Sequence, residues 1–153
     1  MATLQARAAA PRVAGPGLAS SDPLLDCAEP LAGAHVLILG RDFSDMLCGL
    51  IHRGAAAVTC LRRDDHSSAV AEADVVILHG CAGDQKLREA LAFARRVLNS
   101  GGRVVLRGGG QGDAPMLARL LAEHGFFSVR CRALPSGAVL TADLPFFGPL
   151  RRH

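Results

Sequence analysis

Aromatic side chains are scarce in this sequence, which has six phenylalanines and neither tryptophan nor tyrosine. Because half of the residues are apolar, aliphatic side chains must fill any core. No apolar run approaches the roughly 20 residues of a membrane-spanning helix, and the N-terminus lacks the apolar segment of a secretory signal. A length of 153 residues suits one domain. We therefore expect a single soluble domain in the cytoplasm with no membrane attachment.

Lysine is nearly absent, because Lys86 is the one lysine among 17 basic residues. The formal net charge is +3, but four of the arginines lie near the ends of the chain: Arg7, Arg12, Arg151 and Arg152. The remaining 13 basic residues are balanced by 14 acidic ones. A nucleic-acid-binding surface needs concentrated positive charge, so a nucleic-acid partner is not expected.

The five cysteines form no CxxC pair, and their odd number argues against a disulfide framework. The absence of paired cysteines also argues against a structural zinc site, and the histidines show no spacing typical of metal ligands. We expect no metal site. The thiols are expected to be free and mostly buried in a reducing compartment, with Cys48, Cys60 and Cys131 packed as small apolar groups.

The first 30 residues are rich in Ala, Pro, Gly and Ser and have no acidic residue before Asp22. This composition predicts a disordered leader over 1–30. An import peptide over about residues 1–25 is the alternative, since arginine-bearing, acid-poor leaders direct import into organelles. The folded domain is expected over 31–145, followed by a tail over 146–153.

From His35 onward, short apolar runs alternate with amphipathic segments. The runs predict strands at 35–39, 57–61, 74–78, 103–106, 127–131 and 138–142. Helices are predicted to start near Ser44, Asp84 and Asp113. This alternation is typical of an α/β protein with a three-layer, Rossmann-like, mostly parallel sheet. A turn at 135–137 joins the last two strands into a C-terminal antiparallel hairpin.

Two stretches of the chain are similar to class I S-adenosylmethionine-dependent methyltransferases. The run 91–106 resembles the family's helix, glycine turn and strand, and 120–142 resembles its closing helix and final hairpin. The similarity covers roughly residues 34–144. It implies the family's Rossmann-like fold and a site for S-adenosylmethionine at the carboxyl ends of the first strands. Matched to this chain, that site would involve Gly40, Asp42, Ser44, Arg62, Asp64 and Gly80.

Three departures from the family pattern bear on function. The loop 40–44 reads Gly-Arg-Asp-Phe-Ser where the family has a glycine-rich turn, so bulky side chains stand where the cofactor would lie. Arg62 stands where the family has an acidic residue, and arginine cannot accept hydrogen bonds from ribose hydroxyls. Asp64 could replace that acid only through a longer turn. One family strand is lost, because the segment before Asp74 is too short for a strand and a helix.

These departures predict a methyltransferase-like protein that is non-catalytic, binds no cofactor and acts as a binding or regulatory subunit. A small active methyltransferase is the alternative, with His79 as general base, because methyl transfer depends mainly on positioning. An NADP-type nucleotide-binding protein is a further alternative, with Arg62 and Arg63 holding the 2′-phosphate. The lost strand would leave 57–61 at an open sheet edge, which favours a protein partner or a homodimer.

Overall fold

The computed structural model describes residues 3–7, 23–40, 44–62, 72–79, 84–108, 113–135 and 137–145. Their strands are β1 (Thr3–Arg7), β2 (His35–Gly40), β3 (Ala57–Arg62), β4 (Ala73–His79), β5 (Leu98–Gly108), β6 (Phe127–Leu134) and β7 (Gly137–Asp143). Their helices are α1 (Pro23–Ala28), α2 (Ser44–His52), α3 (Asp84–Val97) and α4 (Ala114–Glu123). None of these described helices is both long and apolar enough to cross a membrane. A location in the cytoplasm stays a prediction.

The seven described strands form one sheet in the order β1-β3-β2-β4-β5-β7-β6. Strands β3, β2, β4 and β5 run parallel to one another. Strand β7 lies antiparallel between β5 and β6 and forms a hairpin with β6. The predicted mostly parallel, Rossmann-like sheet with a C-terminal antiparallel hairpin is confirmed.

Helices cover the sheet on both faces, which makes three layers. Side chains alternate between the two faces of a strand. In β2, Val36 and Ile38 therefore belong to the core cluster that includes α1 and α2, whereas Leu37 and Leu39 belong to the cluster that includes α3 and α4. A strand buried on both faces needs an apolar residue at every position, which is why β2 reads as a continuous apolar run.

Strand β1 lies within the segment that the sequence analysis predicts to be a disordered leader. It pairs antiparallel with β3, with Thr3 beside Leu61 and Arg7 beside Ala57. It occupies the sheet position beyond β3 that the sequence analysis leaves open, so the prediction of an unpaired edge at β3 is wrong. The pairing joins residues that are far apart in the sequence, which the local composition of residues 1–30 does not indicate.

Helix α1 also lies in the predicted leader. Leu24, Leu25 and Ala28 are buried and belong to the core cluster on the α2 face of the sheet. The helix packs closely against α2, where a Cβ atom at Gly49 would lie 2.5 Å from Cδ1 of Leu25. With six residues, α1 is too short to show a helical period in the sequence, so its burial against α2 is what identifies it.

The four described cysteines form no disulfide, but most of them are not buried. Cys60 is buried, Cys27 is half-buried, and Cys48 and Cys131 are exposed. The prediction that Cys48 and Cys131 pack as small apolar groups is wrong. Cys131 lies in β6, a strand at the sheet edge whose residues are mostly exposed, and Cys48 lies on an exposed position of α2. Cys81 lies outside the described residues.

Candidate functional site

The candidate site lies where the chain changes direction within the sheet. After β2 the chain forms β3 on one side of it, and β4 then pairs with the other side of β2. In open α/β sheets, ligands bind at the carboxyl ends of the strands at such a switch point. The strands that end here are β3, β2 and β4, and their last residues are Arg62, Gly40 and His79.

These three strand ends form one row across the sheet. Gly40 is the register partner of Arg62 on β3 and of His79 on β4. Parallel pairing therefore brings together three residues that the sequence analysis assigns to the site from different segments. Glycine lies between arginine and histidine in this row, and this order determines which groups a ligand would contact at this edge.

Gly40 has a packing reason to be glycine. Its φ is +149°, and a Cβ atom at this position would overlap the main-chain carbonyl of His79. The sequence predicts that Gly40 allows the backbone to approach a cofactor. The contact with β4 requires a glycine here whether or not a ligand binds, so Gly40 alone does not indicate a cofactor site.

His79 carries a buried polar atom without a partner. Its side chain is half-buried, and among the described residues its Nδ1 is buried with no hydrogen bond. Leaving such an atom unsatisfied costs about 1–3 kcal/mol, and an orphaned polar group in a native structure calls for an explanation. Because the atom is buried, a ligand would reach it only if the neighbouring chain moves, and whether it donates or accepts depends on the tautomer.

Arg62 ends β3 and is exposed to solvent. Its guanidinium carries only donors, so it cannot accept a hydrogen bond from a hydroxyl group. In the described residues, neither β2, β3 nor β4 ends in an acidic side chain. The residues at these strand ends therefore do not fit an adenosyl group held by its ribose hydroxyls.

The remaining predicted site residues fall at the beginning of α2 or outside the described residues. Ser44 is the first residue of α2 and is exposed. Asp42, Asp64 and Gly80 lie outside the described residues, and their assignment to the site stays a prediction.

Sequence reasoning missed a second concave region, on the face of the sheet that carries α1. It is lined in part by Arg130 and Arg132 of β6 together with residues of α1 and β7. The sequence carries one indication of this region. Residues 130–132 are Arg-Cys-Arg, and because alternate residues of a strand point to the same face, the pattern places two arginines on one face. The rest of this lining comes from segments far away in the sequence.

No protein-family model and no curated protein matches the chain. Several solved structures do. A ribosomal protein L11 methylase from Lactobacillus delbrueckii subsp. bulgaricus is 14% identical, with a TM-score of 0.67 over 85% of this chain and 83% of that one. An O-methyltransferase family protein from Burkholderia thailandensis is 14% identical, with a TM-score of 0.63 over 81% of this chain and 56% of that one.

Human N-acetylserotonin methyltransferase, solved in complex with S-adenosylmethionine, is 12% identical, with a TM-score of 0.65 over 80% of this chain and 51% of that one. Identities this low establish the fold alone. The chain has the Rossmann-like fold of the class I methyltransferases, as its resemblance to that family implies.

Proposed function

We propose that this chain, with its methyltransferase fold, is a binding or regulatory module that does not transfer methyl groups. The observation that carries the proposal is the exposed Arg62 at the end of β3, where the family's ribose-binding acid would stand. Gly40, directly beside it in register, is accounted for by its contact with His79. Among the described residues, the ends of β2, β3 and β4 thus provide the scaffold without an acidic group for the adenosyl ribose.

The expected loss of cofactor affinity is large. Hydrogen bonds to a charged group contribute about 1.5–3 kcal/mol each, and about 1.4 kcal/mol is a tenfold change in affinity. Losing two such bonds weakens adenosyl binding by roughly 100- to 10,000-fold. A micromolar site would thereby become a site with a dissociation constant of roughly 0.1–10 mM, too weak to hold the methyl donor.

Isothermal titration of the full chain with S-adenosylmethionine and S-adenosylhomocysteine tests the proposal. We expect no saturable binding below a ligand concentration of about 0.1 mM. A micromolar dissociation constant for either ligand would contradict the proposal directly, because it would mean that other groups supply the ribose contacts.

A substitution at position 62 tests the physical reason. Arg62→Asp restores an acceptor at the end of β3, and we expect it to strengthen S-adenosylhomocysteine binding by roughly tenfold or more. Arg119→Asp makes the same charge change at an exposed position of α4 and is the matched control. Equal effects of the two substitutions would mean that net charge, and not the lost acceptor, governs binding.

An active methyltransferase is the second candidate, and the Nδ1 of His79, which has no hydrogen-bond partner among the described residues, favours it. A ring nitrogen free of protein hydrogen bonds is able to take a proton from a methyl acceptor. Transfer of labelled methyl groups from S-adenosylmethionine to a lysate tests this candidate. Activity that is lost in His79→Ala and kept in His52→Ala, at an exposed histidine of α2, would support it over the non-catalytic module.

The NADP-type alternative depends on Arg62, whose exposed guanidinium could pair with a 2′-phosphate. Arg63 lies outside the described residues. A fluorescence titration with NADPH, repeated with NADH, tests this alternative. Binding of NADPH that exceeds NADH binding in the parent chain but not in Arg62→Gln would favour it.

A module of this kind acts through a protein partner or a second copy of itself. The motivation that the sequence analysis gives for a homodimer, an open edge at β3, is removed because β1 covers that edge. Strand β6 lies at the other end of the described sheet, pairs with β7 alone and is mostly exposed. Light scattering over a wide range of protein concentration distinguishes a homodimer from binding to a different protein, because a homodimer changes its mean mass on dilution.

A further inference from the structure

A groove lies on the α1 face of the sheet, between that helix and the hairpin β6–β7. Its volume is about 340 Å³, which is within the range of small-molecule sites. None of the strand-end residues Arg62, Gly40 and His79 belongs to its lining. The groove is therefore a different place from the crevice at the switch point.

The floor of the groove is formed by β7. Val139 is fully buried and Thr141 is 5% exposed, and both belong to the lining. Being two residues apart on a strand, they point to the same face. Both side chains are almost closed to solvent, so they bound the groove from below and leave its accessible lining mainly to the charged residues around it.

The β6 side of the groove is strongly basic. Arg130 and Arg132 are the register partners of Thr141 and Val139, so both stand directly beside the floor. The side chain of Arg130 is 61% exposed, and its ion pair with Asp143 is loose, at 3.5 Å between Nη2 and Oδ2. Arg132 is exposed and forms no ion pair within the described part of the chain.

The acidic groups of the opposite side are partly neutralised, because two carboxylates share one arginine. Asp26 and Glu29 line the groove from α1 and from the residue just after it, and both carboxylates pair at 2.8 Å with Arg53. Asp143 is likewise held at 2.8 Å by Arg103. Three carboxylates therefore stand against four guanidinium groups, which leaves one net positive charge, and Arg132 is the arginine among them without an ion pair in the described part of the chain.

We propose that this groove binds a small organic anion, with its phosphate or carboxylate held by Arg130 and Arg132 above the floor that β7 forms. Arginine suits this task because its planar guanidinium donates two parallel hydrogen bonds to an oxyanion. Two such groups on alternate positions of one strand lie on the same face of the sheet, so both are placed to contact one ligand group. The proposal does not depend on the function proposed above, since it uses none of the residues of the crevice.

Edge protection is the competing explanation for the same arginines. Charged side chains on an edge strand oppose pairing with other chains, and such a role needs no ligand. The two explanations differ in what they predict, because edge protection does not produce saturable binding of a small anion.

Phenyl phosphate and benzoate are suitable probes, titrated against the full chain and followed by amide chemical shifts. We expect saturable binding of at least one of them below about 10 mM, with shifts concentrated at Val139, Thr141 and β6. Phenol, which has the same ring without the charge, should not bind. Tighter binding of phenyl phosphate than of benzoate would identify a phosphate ester as the ligand class, and the reverse order a carboxylate.

The double substitution Arg130→Gln and Arg132→Gln should weaken binding roughly tenfold or more. Arg119→Gln, on the opposite face of the sheet, should change it by less than about twofold. Both altered β6 side chains are exposed, so the fold is expected to persist, and the amide spectrum checks this. The proposal is overturned if neither anion saturates, if phenol binds equally well, or if Arg119→Gln has the same effect as the double substitution.

Discussion

Gly40 and His79 approach each other so closely that a Cβ atom on the glycine would occupy the space of the histidine's main-chain carbonyl. Gly40→Ala is therefore expected to destabilise the protein by about 3–5 kcal/mol, because backbone strain at positive φ adds to overpacking between two buried strands. Denaturant unfolding measures the change.

Gly33→Ala is the matched control for this substitution. Gly33 also has a positive φ, of +76°, but no atom lies within 4 Å of the Cβ that alanine would add. Gly33→Ala should lower the free energy of unfolding only by the backbone strain, about 1–2 kcal/mol. Similar losses in the two variants would show that contact with His79 contributes nothing to the requirement for glycine at position 40.

Arg53 joins α2 to α1 through two short ion pairs, to Asp26 and Glu29. Burial by itself lowers the pKa of Arg53, but the hydrogen bonds to the two carboxylates and their charges outweigh it and raise the pKa above its ordinary value. Arg53→Met should lower the free energy of unfolding by about 1–2 kcal/mol.

Arg88→Met provides the comparison for Arg53. Its pair with Glu123 is longer, 3.3 Å, and both side chains are 46% exposed, so its loss should cost less than about 0.5 kcal/mol. Thermal unfolding of Arg53→Met and Arg88→Met under the same conditions measures the two losses of stability. Equal losses of stability would mean that the ion pairs of Arg53 contribute no more than the pair of an exposed surface arginine.

Cys60 makes stability depend on pH in the alkaline range. Burial raises the pKa of its thiol to about 11. Between about pH 9 and pH 11 the unfolded thiol loses its proton while the folded one keeps it, so the free energy of unfolding falls as pH rises. A shift of this size corresponds to about 3 kcal/mol.

The alkaline loss should be absent in Cys60→Val and present in Cys48→Ser, which alters an exposed thiol. The chain has no tyrosine and one lysine, which removes most of the side chains other than cysteine that titrate in this window. Denaturant unfolding at pH 8.5 and pH 11 (chosen as roughly the two ends of the window) measures the difference. A loss that persists in Cys60→Val would assign it to another group.

Strand β1 covers the outer edge of β3. Removing residues 1–7 should leave that edge unpaired, and an unpaired edge strand is a template for pairing with another chain. We expect self-association, detected by light scattering as a mean mass that rises with protein concentration.

A variant shortened by residues 147–153 has the same change in length and should behave as the parent chain. A shortened chain without residues 1–7 that stays monomeric would contradict this role of β1.

Much of the fold and part of the site could be predicted from the sequence. The runs that form β2 and β4 are apolar at nearly every position, and only a strand buried on both faces requires this. Parallel strands end at the same edge, so Gly40, Arg62 and His79 could be assigned to one site from their positions at strand ends. The contact that explains Gly40 could not be predicted, because it depends on the distance between two backbones.

The exposure of Cys48 and Cys131 could not be predicted either. A cysteine in a predicted helix or strand gives no information about which side faces solvent unless the neighbouring elements are known. Cys131 lies on the mostly exposed end strand of the sheet, whereas Cys60 is buried because its side chain belongs to the core cluster that includes α1 and α2.

The sequence by itself determined the order of strands and helices from β2 onward, the closing hairpin and the arginine at the end of β3, because these follow from local periodicity and residue identity. Only the tertiary structure decided that β1 closes the sheet beside β3, that β2 and β4 leave no room for a side chain at Gly40, and that Arg130 and Arg132 stand across a groove from α1. Each of these depends on contacts between residues that are distant in the chain, and such contacts are set by how whole elements pack rather than by the sequence around any one of them.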